Sequence, residues 1–446
     1  MDTQLRTYSY PNGDIQRVQV VHLDSWSTLD FLELPGSEGA LDRFAGIYRD
    51  FLIPAAPWLF GNLVLFRLPA GKPPDFPMET GKYGTLAEPL AAAAAALKSG
   101  VTIRRGQPVF RDTAVRDFWQ TLEHHDCVRV VSGKLPITTF IPLSNQAGYL
   151  TEIEPDARLK VNASFFIMDP FDCATVYDHA GTPFGLNVKD GVVTRPPLFG
   201  REALLVRRDG SISVRNLDVR ELDLEVGGTI LTHGKNARIY TRPRRILSPA
   251  GKGQSLVIIG NRVAAVGTGS LPVPASGFVL CPEVPVSVSP GDTLRYRGLE
   301  DIRFGIQVGN SILRDGIPTT RFRSRFYNIR RLEPVPYPPS LYPMDFSQGR
   351  AARIALGADQ NGKPVLLWAE GAAKIGYTPG KGSRGASLAE MAAFCADAGM
   401  VSAVNLDGGG SGQILLGNRR SLKISDRNAA DHSEAERPVP LALLVK

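Results

Sequence analysis

The chain has 446 residues, enough for one large domain or two to three ordinary ones. Its 43% hydrophobic and 21% charged content is that of a globular protein with a full core, which excludes a low-complexity or disordered chain. A formal charge of +7 suits an anionic substrate without requiring one. The four cysteines, Cys127, Cys173, Cys281 and Cys395, are far apart and form no C-x-x-C pair, against both a disulfide scaffold and a zinc site. The histidines show neither H-E-x-x-H nor H-x-H spacing. No metal and no cofactor is expected.

The first residues are polar and lack the apolar stretch of a signal peptide. The most apolar early run, 51–68, is interrupted by Pro54 and Pro57 and is too short to span a bilayer. A cytoplasmic protein without membrane attachment is the expectation, or a secreted one if a signal peptide has been removed. Residues 1–105 read as a smaller α/β region. Segments 16–21 and 63–66 have strand composition, 41–51 repeats Phe44, Tyr48 and Phe51 at helical spacing, and alanine-rich 87–98 favours a helix ended by Gly100. This region carries no catalytic motif; scaffold, partner contact or a wall of the site are its expected roles.

From 106 to 446 a second region begins with a helical pattern at 113–124 and then turns to short Val-, Ile-, Leu- and Phe-rich runs. Asp190-Gly191, Asp209-Gly210, Gly260-Asn261 and Gly417-Asn418 each separate two such runs, the pattern of successive β-hairpins. Hairpins in series predict a mainly antiparallel or mixed sheet with flanking helices, an α+β domain, not a doubly wound parallel one. Segment 319–343 interleaves Arg321, Arg323, Arg325, Arg330 and Arg331 with Phe322, Phe326 and Tyr327, then runs into prolines. It reads as an inserted surface loop or subunit contact, and nucleic-acid binding is not inferred from it. Further on, Ser387-Leu388-Ala389-Glu390 has capping-box form, with apolar residues recurring until Gly399. An apolar strand then leads to Asn405-Leu406-Asp407-Gly408-Gly409-Gly410-Ser411.

Three glycines after a lone carboxylate either form a tight turn or let bare backbone N–H groups approach a ligand. The second reading gains from the motifs around it. Asn405 to Ser411 resembles the N-L-D-G-G-G-S signature of the phosphodiester glycosidase domain family. Val161-Asn162-Ala163-Ser164-Phe165-Phe166 resembles that family's N-G-G-F-F segment, and Gly181-Thr182-Pro183-Phe184-Gly185 with Asp190-Gly191 its G-x-P-x-G…D-G segment. Gln307 to Gly316 is similar to its glycine-rich strand, Arg353-Ile354-Ala355 to R-T-A, and Glu436-Arg437-Pro438-Val439 to its closing E-R-x-V. The ordered set covers about residues 125–446. The chain departs from the pattern at Ala163-Ser164, where the family has glycines, and at Ile354, where it has threonine.

The resemblance implies a hydrolase that cleaves a sugar-1-phosphodiester of the N-acetylglucosamine-1-phosphate type at the glycosidic bond. The alternative is a non-catalytic carbohydrate-binding or polysaccharide-assembly module on the same fold. Such chemistry needs a carboxylate for water or for an oxocarbenium-like centre, and donors for the charge developing on phosphate. Asp407 is the candidate carboxylate, or else it only fixes its turn. Asn162 is expected to orient Asp407 or bind a sugar hydroxyl. Arg353 and Arg437 are expected to recognise phosphate, although Arg437 alternatively forms a structural pair, with Glu436 the suggested partner. Gly408, Gly409, Gly410, Ser411 and Glu436 complete the expected substrate-binding set. The expected partner is a sugar-phosphate or glycan, with oligomer formation possible through 319–343.

Overall fold

A computed structural model describes residues 1–34, 101–104, 107–110, 147–166, 177, 181–242, 247–307, 309–319, 349–373, 376–428 and 431–446. The largest sheet has seven strands in the spatial order Asp2–Ser9, Ile15–His22, Pro364–Ala369, Arg353–Asp359, Met400–Asn405, Ser311–Arg314 and Ile317–Pro318. Neighbours in it are antiparallel throughout. A four-stranded antiparallel sheet is ordered Ile414–Leu416, Leu159–Asn162, Leu441–Val445, Leu29–Glu33. A five-stranded sheet is built from Ile212–Leu217, Arg201–Arg207, Ile302–Gln307, Asn187–Lys189 and Val192–Arg195.

Period-two alternation sends one set of side chains from each of these sheets into a shared core. Leu159, Val161 and Leu443 meet Leu204, Phe304 and Ile306, and both groups meet Leu356, Trp368 and Val404. The far side of the five-stranded sheet contributes Val188, Ala203 and Leu205 to a second core. That core is shared with strands from 223–297, among them Leu224, Leu256, Phe278 and Leu280. The opposite face of the seven-stranded sheet is covered by the helix Leu388–Asp397, through Met391, Phe394 and Cys395 against Ala355, Leu367 and Ala403.

The helix has the ends its sequence specifies. Ser387 Oγ accepts the Glu390 N–H at 3.2 Å, and Glu390 Oε2 accepts the Ser387 N–H at 2.9 Å. Gly399, at φ 78°, takes the left-handed position that ends it. The Asp-Gly hairpins also form as expected: Asp190 and Gly191 have φ of 49° and 84°, the paired positive values of a tight two-residue turn.

The fold class differs from expectation. The described residues form several antiparallel sheets with Leu388–Asp397 as their one α-helix, so the architecture is mostly β and not α+β with flanking helices. The hairpin signals were repeated often enough that strands and the turns joining them make up most of the described chain. The helical patterns at 41–51, 87–98 and 113–124, the run 63–66 and the arginine-rich loop from 320 onward lie outside the described residues. Residues 2–22 form the outer hairpin of the seven-stranded sheet, and Leu29–Glu33 pairs with Leu441–Val445. The earliest strands are thus hydrogen-bonded to the latest ones. No helix among the described residues is long and apolar enough to cross a membrane.

Candidate active site

The strand Met400–Asn405 lies between Arg353–Asp359 and Ser311–Arg314, and its pairing does not stop where the strand ends. The Leu406 N–H donates to the Ile354 carbonyl and the Gly409 N–H to the Ala352 carbonyl, both at 2.8 Å. Asp407 is therefore held on a backbone that is bonded on either side of it. Gly408 is required by the closeness of the neighbouring strand, since a Cβ there would sit 2.4 Å from the Ala352 carbonyl oxygen. A single 3-10 turn, Gly409–Ser411, then carries the chain over two buried charges. A Cβ on Gly410 would lie 2.2 Å from both Arg437 Nη2 and Asp426 Oδ2.

Asp407 is 7% exposed. Asn162, at the end of the strand Leu159–Asn162, donates Nδ2–H to Asp407 Oδ2 at 3.1 Å, joining the four-stranded sheet to the seven-stranded one. Among the described residues the buried Asn162 Oδ1 has no hydrogen-bond partner. Burial pushes the Asp407 carboxyl up to about 6, against the opposing pull of Asn162, Arg437, the Ser411 hydroxyl and the Gly408 N–H. A carboxyl with that affinity takes up and gives back a proton near neutral pH, the property required of an acid–base group.

Behind the turn, Arg437 Nε and Nη2 donate to Asp426 Oδ2 at 3.1 and 2.8 Å, and both side chains are almost wholly buried. Arg437 Nη1 reaches Ser411 Oγ at 3.4 Å, and the Ser411 hydroxyl in turn donates to Asp407. Arg353 is also buried, with Nε donating to the Ala386 carbonyl at 3.2 Å and Nη2 to the Gly349 carbonyl at 2.9 Å. Glu436 faces another set of partners. It accepts from the Thr151 hydroxyl at 2.7 Å and pairs with Arg420 at 2.5 Å. Arg420 also donates through Nε and Nη2 to Gln413 Oε1 at 3.0 and 2.8 Å, and Gln413 Nε2 reaches the Arg437 carbonyl at 3.4 Å.

Asn162, Asp407, the three glycines, Ser411 and Arg437 therefore stand at one junction of two sheets. Arg353 adjoins it through its main chain, its Cα 3.3 Å from where a Gly408 Cβ would be. Glu436 lies one step away, on the Arg420–Gln413 side. The structural partner of Arg437 is Asp426 and not Glu436. Asp426 and Gln413 are fully buried polar residues that the sequence did not single out. Asp426 lies in the loop after Ile414–Leu416, where no periodicity marks it, and Gln413 directly follows the glycine turn; only their contacts with Gly410, Arg437 and Arg420 show their place. Asn405, the first residue of the signature, was given no role of its own; it is fully buried, and among the described residues neither atom of its side-chain amide has a hydrogen-bond partner.

The sequence profile of the phosphodiester glycosidase family matches residues 157–446, which includes this whole junction. The chain belongs to that family. Among solved structures it is similar to a hypothetical protein from Synechocystis, at 22% identity and a TM-score of 0.37, over 67% of this chain and 54% of that one. The chain thus spans about half the length of that protein. It is also similar to a protein from Burkholderia pseudomallei described as exported, at 17% identity and TM-score 0.42, covering 100% and 97% of the two chains. The catalytic domain of zebrafish N-acetylglucosamine-1-phosphodiester alpha-N-acetylglucosaminidase, auto-inhibited by its pro-peptide, matches at 13% identity and TM-score 0.38, over 100% and 82%. No curated protein matches the chain.

Proposed function

We propose that the chain hydrolyses a sugar-1-phosphodiester of the N-acetylglucosamine-1-phosphate type at the glycosidic C1–O bond. The observation that carries this reading is Asp407, a nearly buried carboxylate whose proton affinity is raised to about 6 at the family's signature turn. In its ionised form Asp407 accepts a proton from water as the water oxygen bonds to C1. The C1–O bond breaks, its electron pair leaves on the phosphate oxygen, and the products are free sugar and a phosphate monoester. Such a leaving group needs less protonation than an alcohol, so a single well-placed carboxylate suffices for the proton transfer. Asn162 fixes the carboxylate through one amide atom and presents the other to substrate. Ser411 and the glycine turn line the approach. Arg353 and Arg437 are assigned to the charge developing on phosphate, and Glu436 to the outer part of the substrate.

The test is release of free sugar from UDP-N-acetylglucosamine or a simple sugar-1-phosphate ester. Asp407→Asn is expected to lower turnover by about 10²–10⁴-fold, the usual contribution of a positioned acid–base group. The activity of the unaltered chain should fall about tenfold per pH unit below about 6. Sugar binding without turnover on any such ester would replace the enzyme by a carbohydrate-binding module, the outcome for which Ala163-Ser164 in place of the family's glycines leaves room.

A further inference from the structure

Asp426, paired with Arg437, is the feature of this junction that substrate chemistry does not account for. Both partners are buried, at 0% and 5% side-chain exposure, and they contact through two hydrogen bonds to one carboxylate oxygen. Gly410 admits them, because any side chain there would overlap both. Arg437 then touches the Ser411 hydroxyl, which touches Asp407. Among the described residues the charged groups around Asp407 are few. Arg437 and Asp426 approach from the C-terminal loop. Arg353 on the adjacent strand turns its guanidinium to the Ala386 and Gly349 carbonyls. The strand Leu159–Asn162 offers only the neutral amide of Asn162 to the carboxylate.

An isolated guanidinium one hydroxyl away, in a buried setting, would hold Asp407 ionised far below neutral pH. With a carboxylate bound to its far side, its net field at Asp407 is small. We infer that Asp426 is a positioning residue of the site: it holds the Arg437 guanidinium against Ser411 and cancels its charge toward Asp407, leaving Asp407 able to exchange a proton. The role of Asp407 in catalysis rests on the reading above, but this coupling does not need turnover to be observed.

The experiment is a pH titration of the Asp407 carboxyl by carbon-13 NMR in the full chain, with the signal assigned by its loss in Asp407→Asn. Asp426→Asn should lower the midpoint by about one unit or more, and Arg437→Gln should raise it by about as much. The double variant Asp426→Asn/Arg437→Gln should return it to within about half a unit of the unaltered chain. In an active enzyme the acid limb of kcat/KM should move with each midpoint. A folded Asp426→Asn whose midpoint stays put, losing only stability or amplitude, overturns the inference. Where neither single variant folds, the double variant decides, because it buries no unpaired charge. A midpoint raised by about a unit or more in it would show that Asp426 had cancelled nothing. Shifts of the expected sign in a chain that hydrolyses no ester keep the coupling and remove only the catalytic reading.

Discussion

Gly210 and Gly410 illustrate two regions built on different rules. Gly210 closes a hairpin of the five-stranded sheet at φ 86°, and a Cβ there would meet nothing within 4 Å. Gly410 has no left-handed backbone, yet a Cβ there would strike a guanidinium and a carboxylate. The first glycine serves its own backbone; the second serves side chains 16 and 27 residues further along the chain. The surroundings follow the same division. In the hairpin region from 201 to 302 the core is mainly Leu, Val, Ile and Phe, and most of its ion pairs, such as Arg238–Glu283 at 50% and 46% exposure, stay at the surface, Asp218 with Arg220 being the exception. At the signature turn Asn162, Asn405, Asp407, Ser411, Gln413, Asp426 and Arg437 are all buried. One region lowers free energy by removing apolar surface from water. The other holds polar groups out of water, which is costly unless each finds a hydrogen-bond or charge partner there.

That contrast is open to direct test. The largest effect should come from Gly410→Ala, which separates the buried pair and should destabilise by about 3–5 kcal/mol in a urea titration. A loss under about 1 kcal/mol would mean that the turn can move aside without breaking the pair. Next is the pH dependence of stability. The Asp407 carboxyl is raised from 3.8 to about 6 on folding, so the native state binds this proton more tightly than the unfolded chain does. Its contribution is full below about pH 4 and is lost as pH rises to about 6, a decline of about 3 kcal/mol. Asp407→Asn should flatten this slope and be at least as stable as the unaltered chain at pH 7.5, while losing most of the proposed turnover; thermal melts across pH 4–8 would show either result. Smaller again is Gly210→Ala, where backbone strain alone should cost about 1–2 kcal/mol and leave sugar release per folded molecule unchanged. Arg238→Ala should shift stability by no more than about 0.5 kcal/mol, as expected for an exposed pair, with a larger change pointing to packing by the arginine stem.

Much of the local structure was legible. The capping box at Ser387 and Glu390, the glycine at 399 and the Asp-Gly turns each act within four residues, so their effect is contained in the segment that carries them. The proportion of helix was misjudged among the described residues, because the repeated hairpins left it one helix. The placement of Asn162 beside Asp407 followed from a resemblance between ordered motifs, since no spacing rule brings residues 245 positions apart together. Asp426 was not legible, and neither was the choice of Asp426 over Glu436 as partner of Arg437. Adjacent charges in sequence invite pairing, yet Glu436 and Arg437 reach different neighbours.

By itself the sequence determined the chemistry available at the opening of this region: one carboxylate, three glycines that carry no side chain, a hydroxyl, and a strand to deliver them. Turn geometry and capping are short-range, and they are specified where they occur. Only the tertiary structure decided what those residues do together. The proton affinity of Asp407 depends on how completely two sheets exclude water from it, and the need for glycine at 410 depends on an ion pair contributed from residues 426 and 437. Burial and charge are properties of the assembled surroundings, and no single segment contains them.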